Sequence, residues 1–546
     1  MKICENKTSL TSIITTDESL RAATILQKYL EKITMCKFAI YNANSFTEST
    51  CYSNILSQAS EINKVIFNLS DKFRENGFSY FIESKNIHFL AKNEQAFVYS
   101  VYDFLDRIIG CRFLSADYEF IPKITSLELD FESYSFIPPI DYREVYYKDF
   151  EDEVFAEKLK MSTSKKHEGW GFWAHSFQEL LPYSLYEEHP EYFALIDGKR
   201  TKKGEPCLSN LEVRKIMKDN LKIFMSEKTN CKYWSVSQND DNLYCRCSKC
   251  TEKDTYDESQ MGSILDFVNE VASEFPNKVI STLAYWYSRK PPKHTRPLSN
   301  VHIMLCNIEA NRGLSIETDP SNKEVREELL GWSTICENIS LWDYNIQFAN
   351  LVSPFPNLRT LGPNMRYFVK NNLKLLFSQC NREYGGEFSK LRGYILAKLA
   401  WDPECDEFYH MKDFCEKYYE AAAPYILEYI ELLHNSQERF NERLDIFHGP
   451  KNAKDTYLSL ELYTKYNDLF DKACNSVLYN KDVLLRVQEA RLPLYYSGIV
   501  LKYGTEEEQL KNIKEFAKIA KSTGLEKVEE WTITVEEFLY DSLANL

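Results

Sequence analysis

No apolar run in this sequence approaches the ~20 residues that a membrane-spanning helix needs. The opening stretch, MKICENKTSLTSIITTDESL, has no apolar core of the kind found in secretory leaders. The expected location is therefore the cytoplasm, or a secreted or periplasmic site if a leader has been removed. An excess of basic residues is also missing: 66 Lys and Arg stand against 81 Asp and Glu, a formal charge of -15. With no basic patch, nucleic acid and anionic membrane surfaces are excluded as ready partners. No Gly-rich phosphate loop, nucleophile elbow or HExxH motif occurs, so nucleotide-phosphate cradles, serine-hydrolase elbows and zinc-protease helices find no support. The fifteen cysteines lack small-domain spacing and are odd in number. That pattern favours mostly free thiols in a reducing compartment over a disulfide framework.

What is present is a long chain of 546 residues, room for roughly two to four domains. Aromatic residues are plentiful, with 36 Tyr, 33 Phe and 8 Trp. Residues 1–137 alternate short β-branched runs with helical spacing, as in 11–16, 18–33, 64–69 and 97–109. They read as a small accessory α/β domain. Pro138-Pro139 marks a boundary. From there to 403 the pattern is strand, then a longer helix-containing segment. Candidate strands are 142–147, 233–237, 278–285, 301–308, 339–342 and 373–379. Such repeated units favour a central (β/α)8 barrel over an open doubly wound sheet. Residues 404–546 recur at helical spacing over 413–433, 456–476, 480–501 and 506–522, which predicts an α-helical C-terminal domain whose tyrosines serve core packing.

Barrel active sites lie at the C-terminal ends of the strands. The polar residues expected there are Asp240 and Asp241, Tyr285, Trp286 and Arg289, Glu309, Asp343, and Gln379 with Asn381. Carboxylates ringed by Trp and Tyr suit glycoside hydrolysis, in which one acid protonates the leaving oxygen and another group stabilises the anomeric cation. Each also has a plainer use. Asp240 and Asp241 fit Asx turns in NDDN, Glu309 fits a salt bridge to Arg312, and Asp343 fits a role orienting a neighbour. In HEGWGFWAHSF, His167 and His175 flank Trp170 and Trp173, a composition suited to a sugar-contacting loop. Cys245-x-Cys247-x-x-Cys250, with Cys207 from GEPCLSN, has the make-up of a closed tetrahedral zinc site. Free thiols or one local disulfide remain alternatives. Such a zinc would be structural, because four thiolates leave no position for water.

Several blocks, in order, resemble glycoside hydrolase family 163, formerly a domain-of-unknown-function family. They include HSFQELLP (175–182), EEHPEYFALIDGKR (187–200), CLSNLEVR (207–214) and SVSQNDDNLYCRCSKC (235–250). They continue with STLAYWYSRKPPKHTRP (281–297), LCNIE (305–309), LWDYNIQF (341–348) and PFPNLRTLGPNMRYF (354–368). The resemblance covers most of 140–430. It implies an endo-β-N-acetylglucosaminidase that cuts the chitobiose core of N-glycans, with an oligosaccharide or glycoprotein as substrate and no catalytic cofactor. It also implies a retaining mechanism assisted by the substrate's own acetamido group. Asp240 and Glu309 fall at the positions assigned to the catalytic carboxylates; for substrate contact, the strand-end and loop reading selects Trp173, His175, Asn239, Tyr285, Trp342 and Asp343. The chain departs from the family pattern twice. Glu309 is followed by ANRGLSIE without the usual His-Pro, and Ser378-Gln379-Cys380 stands where the family carries Glu-Gln-Gly. Those departures point to a shifted specificity or weakened activity. Another β-glycosidase on the same scaffold, or a non-catalytic glycan-binding protein, are the alternatives.

Overall fold

The computed structural model describes residues 1–42 and 63–546. The chain divides into two compact units, Met1–Asp141 with Asp152–Met161, and Tyr142–Glu151 with Ser162–Leu546. In the first unit a sheet is built from β1 (Thr11–Thr15), β2 (Ile40–Asn42), β3 (Asn63–Leu69), β4 (Phe78–Glu83), β5 (Asn86–Ala91) and β6 (Tyr134–Phe136), in the order β6-β4-β5-β3-β1-β2. Side chains of β5 alternate between buried and half-buried, the period-2 signature of a strand with one face on a core. That face meets the helix Glu94–Phe104, whose first turn is capped by the Asn93 side chain accepting from the Ala96 N–H. Phe67, Phe78, Tyr80, Phe89, Phe97 and Phe104 fill the space between them.

The second unit holds six parallel strands: β7 (Tyr142–Val145), β8 (Tyr233–Ser235), β9 (Val279–Ala284), β10 (Val301–Cys306), β11 (Ile339–Tyr344) and β12 (Leu373–Gln379). Every candidate strand of the sequence is present. Their order is β7-β12-β11-β10-β9-β8, so the first strand pairs with the last. Tyr142 sits opposite Leu375 and Val145 opposite Ser378. Strands such as β10, VHIMLC, are buried along their whole length, as expected where both faces of a parallel sheet are covered. The helix Met261–Glu274 packs on β9 and β10.

This curled sheet is not the eight-stranded barrel expected. Among the described residues a seventh position is held only by a single parallel bridge, Trp170 to Tyr233. Gly169 has a φ of +80° and a side chain at Gly171 would collide with the Trp234 ring, so this segment makes one close approach rather than a strand. The outer edge of β12 is already taken by β7, which leaves no place there for an eighth strand. The gap between β7 and Trp170 is filled by rings: Trp170 lies 6.0 Å from Tyr142 and 5.1 Å from Tyr233.

From Ser389 the chain is helical, with long helices at Ala423–Phe440, Leu460–Ser476, Lys481–Leu501 and Glu506–Thr523. Tyr418, Tyr419 and Tyr429 are buried, as core packing requires. Among the described residues no helix is long and apolar enough to cross a membrane.

His434 ties this helical region to the helix Leu358–Lys370. Its Nδ1–H donates to the Ile430 carbonyl at 2.7 Å, and its Nε2 accepts the Leu358 N–H at 3.0 Å. Burial holds its pKa down at about 3, so the folded ring is neutral where the unfolded ring, near 6.5, takes a proton. The stability this provides is present above pH 6.5 and is lost as pH falls, at about 1.4 kcal/mol per unit down to pH 3. In urea unfolding across pH 4–6, His434→Gln should lower the pH slope of stability by about one proton relative to wild type. An unchanged slope in the variant would assign the acid sensitivity elsewhere.

Candidate active site

The segment after β8 is fixed by Gln238, which is buried and donates from Nε2 to Ser288 Oγ at 2.7 Å and to the Leu283 carbonyl at 3.2 Å. This ties the end of β8 to the end of β9 and leaves Asp240 on the rim. Asp240 is exposed, and its charge acts on the hydroxyl of Tyr285, which follows β9. Burial, and then the Asp240 charge, push the Tyr285 phenol well above its ordinary value. His175 donates from Nδ1–H to the Gln238 carbonyl at 2.6 Å, because a carbonyl can only accept. Its Nε2 is left for another partner.

These groups line a cavity of about 470 Å³, within the range of ligand pockets. Trp286, Trp342 and Gln379 form part of its wall, and Phe447, Glu530 and Trp531 come from the helical half of the unit. Trp342 Nε1–H donates to Gln379 Oε1 at 2.7 Å, which fixes both side chains. Trp286 has a φ of +51°, an uncommon conformation for a bulky side chain. The rings of Trp531 and Phe447 lie 6.2 Å apart and nearly parallel.

The other sequence candidates are placed as follows. Glu309 forms an ion pair with Arg289, and the expected pairing with Arg312 does not occur. Arg312 is buried and spends its guanidinium on backbone carbonyls, including Asn307 at 2.9 Å. Ile308, next to Glu309, lines the cavity. Asp240 lines the cavity, whereas at the end of β10 it is Ile308 that does so and Glu309 that turns to Arg289. Asp343 has both oxygens occupied, by Asn307 Nδ2 at 2.7 Å and Asn345 Nδ2 at 2.8 Å. That network continues through Asn357 to Arg392, so Asp343 orients neighbours, as its plainer reading held. Asp241 makes the expected Asx turn, accepting from the Leu243 N–H at 2.8 Å. Asn239 is spent on Glu205, to which its N–H and Nδ2 donate at 2.8 and 3.2 Å. Trp173 packs between the His167 ring at 4.1 Å and the Trp342 ring at 5.7 Å, so it supports Trp342.

Three features escaped the sequence. Glu144 on β7 is fully buried and accepts from the Tyr142 hydroxyl and from His167 Nδ1, the latter at 2.9 and 3.0 Å. Tyr142 and Glu144 share a face because strand side chains repeat every two residues. The one signal was a charged residue inside a strand-like run. Glu205 is also buried; burial, and then the Asp241 charge, push its carboxyl up to about 8. Phe447, Glu530 and Trp531 lie in segments with no strand-end logic to reveal them. The four cysteines do come together: Cys207, Cys245, Cys247 and Cys250 have their sulfurs within 4.8 Å of one another.

A family model described as "Domain of unknown function (DUF4838)" matches residues 113–431, more than half of the chain. No curated protein matches. Among solved structures, a family GH115 4-O-methyl-α-glucuronidase with specificity for decorated arabinogalactans is similar in fold, with a TM-score of 0.53 and 10% identity. That likeness covers 94% of this chain and 76% of the other. A GH138 enzyme targeting pectin rhamnogalacturonan II gives a TM-score of 0.48 at 12% identity, over 98% of both chains. A β-N-acetylhexosaminidase from Bacteroides fragilis gives 0.39 at 10% identity, over 73% of this chain and 89% of the other.

Arg289 holds two further carboxylates, Glu324 at 3.0 Å and Glu328 at 2.8 Å. The Glu309 side chain is 40% exposed and that of Glu328 is 13% exposed. Glu309→Gln should therefore cost less than about 1 kcal/mol, whereas Glu328→Gln should cost about 3 kcal/mol. Denaturant midpoints of the two variants test this, and equal large losses would make Glu309 a structural member of the ion-pair cluster.

Proposed function

The chain belongs to the DUF4838 family, and we propose that it is a glycoside hydrolase that cleaves β-linked N-acetylglucosamine within N-glycans by a substrate-assisted, retaining mechanism. The observation that carries this reading is that Asp240 and Tyr285 line one aromatic-walled cavity at the C-terminal ends of a parallel sheet. A sugar ring stacks its apolar face on indole or phenyl faces while its hydroxyls and amide need few, fixed polar partners. Trp286, Trp342, Phe447 and Trp531 are the rings in the cavity wall that could offer such faces. A wall with four such rings and a cavity of about 470 Å³ suits an oligosaccharide.

In the proposed reaction the acetamido oxygen attacks its own anomeric carbon as the bond to the leaving oxygen breaks. Asp240 accepts the acetamido N–H and stabilises the developing oxazolinium charge. Tyr285, whose hydroxyl feels the Asp240 charge, donates to that carboxylate once the sugar is bound. Glu309 delivers a proton to the leaving oxygen, then takes one from the water that opens the oxazolinium at the anomeric carbon. For this Glu309 must leave Arg289. Glu324 and Glu328 remain on the guanidinium, so Arg289 keeps partners when Glu309 turns away. His175 Nε2 is the remaining group placed to take a sugar hydroxyl.

The Glu309–Arg289 pair also favours a second reading, a glycan-binding protein without hydrolysis, in which Glu309 stays locked. Incubation with a complex N-glycoprotein, followed by mass spectrometry, separates the two. Hydrolysis leaves one GlcNAc on each released site, while the binding protein retains the glycan intact. Asp240→Asn should lower turnover by roughly 10²–10⁴-fold. Near-normal turnover in that variant rejects the assignment of Asp240.

A further inference from the structure

We propose that Cys207, Cys245, Cys247 and Cys250 bind one Zn²⁺ as a closed tetrathiolate, and that this metal anchors the loop bearing Asn239 and Asp240. The Cys207 and Cys247 sulfurs are 3.7 Å apart. A tetrahedron with Zn–S bonds of about 2.3 Å separates its sulfurs by about 3.8 Å. A disulfide would need about 2.05 Å. All four sulfurs lie within 4.8 Å of one another, and Cys207, Cys245 and Cys250 are buried. The surroundings are those of anionic sulfur. The Leu195 N–H donates to Cys245 Sγ at 3.4 Å, and Arg200 Nη1 lies 3.9 Å from the same sulfur. Ser209 Oγ stands 3.3 Å from Cys247 and 3.4 Å from Cys207. Cys247 is the N-cap of the helix Ser248–Tyr256 and Cys250 lies in its first turn, where the helix dipole favours negative charge. Four soft thiolates clustered within 4.8 Å select zinc over hard cations.

The anchoring follows from chain connectivity. Glu205, two residues before Cys207, receives both hydrogen bonds from Asn239, and its own N–H donates to the Leu243 carbonyl at 3.0 Å. Residues 205–207 are thus bonded to 239–243 at one end and joined through the sulfur cluster to 245–250 at the other. This inference stands apart from the proposed hydrolysis, since metal content is measured without any substrate.

The test uses the full chain purified under reducing conditions. Elemental analysis should give one zinc per chain. Cys245→Ser and Cys250→Ser should lower it at least about tenfold, and Cys474→Ser, elsewhere in the unit, should leave it unchanged. Should the serine variants fail to fold, cobalt exchanged into the wild-type protein should give the ligand-field bands of a tetrahedral tetrathiolate. Removal of the metal should speed amide exchange over residues 236–250 at least about tenfold while β11 and β12 stay protected. Reduced protein that takes up neither zinc nor cobalt, stoichiometric iron in place of zinc, or a mapped disulfide among the four would overturn the proposal. Metal loss without faster exchange over 236–250 would overturn the anchoring.

Discussion

The hydrogen-bonded pairing of β7 with β12 is the constraint from which the candidate site follows. The strands of a parallel sheet all end on one side, and here the sheet curls until Tyr142 and Tyr233, on its two edge strands, bring their rings within 5.7 Å. Residues just beyond those ends converge although they are far apart in the chain. Asp240 follows β8, Tyr285 follows β9, Ile308 follows β10, and Trp342 and Gln379 close β11 and β12. The sheet's interior is correspondingly crowded, and its unpaired gap is packed with Tyr142, Trp170 and Tyr233.

Electrostatics divide the carboxylates of this rim into separate roles. Asp240 lines the cavity beside Tyr285, whereas Glu309 is held by a guanidinium shared with two other acids. Asp343 is saturated by amides. Glu205, with its pKa raised to about 8, carries a proton at neutral pH, so it adds no charge beside Asp240 and Asp241. Asp240 and Glu530 are thus the two carboxylates that line the cavity, while Glu309, Asp343 and Glu205 are restrained by their own partners.

The six strands were legible because buried parallel strands read as continuous apolar runs, and the cavity carboxylate was legible because it ends such a run. The eight-strand count was not, because it depends on which edges pair: Trp170 makes one bridge and β12 returns directly to β7. Partners distant in sequence were equally hidden. Arg312, three residues from Glu309, looked like its counter-ion, yet Arg289 takes that place from the neighbouring strand end. Glu144 and His167 sit 23 residues apart and meet only through the curl of the sheet. Phe447 and Trp531 carry no local signature of a cavity wall. Asn239 and Trp173, expected to touch sugar, instead brace the residues beside them, a distinction that sequence position alone does not make.

The most direct test of the account is calorimetric titration with the thiazoline analogue of N-acetylglucosamine, which mimics the cyclic intermediate formed when the acetamido group attacks. Intermediate mimics bind far more tightly than substrates when a site is built for that charge distribution. The account predicts saturable one-site binding to the wild-type chain that is lost when the Asp240 carboxylate becomes an amide. No binding to wild type, or equal binding to both proteins, would contradict it.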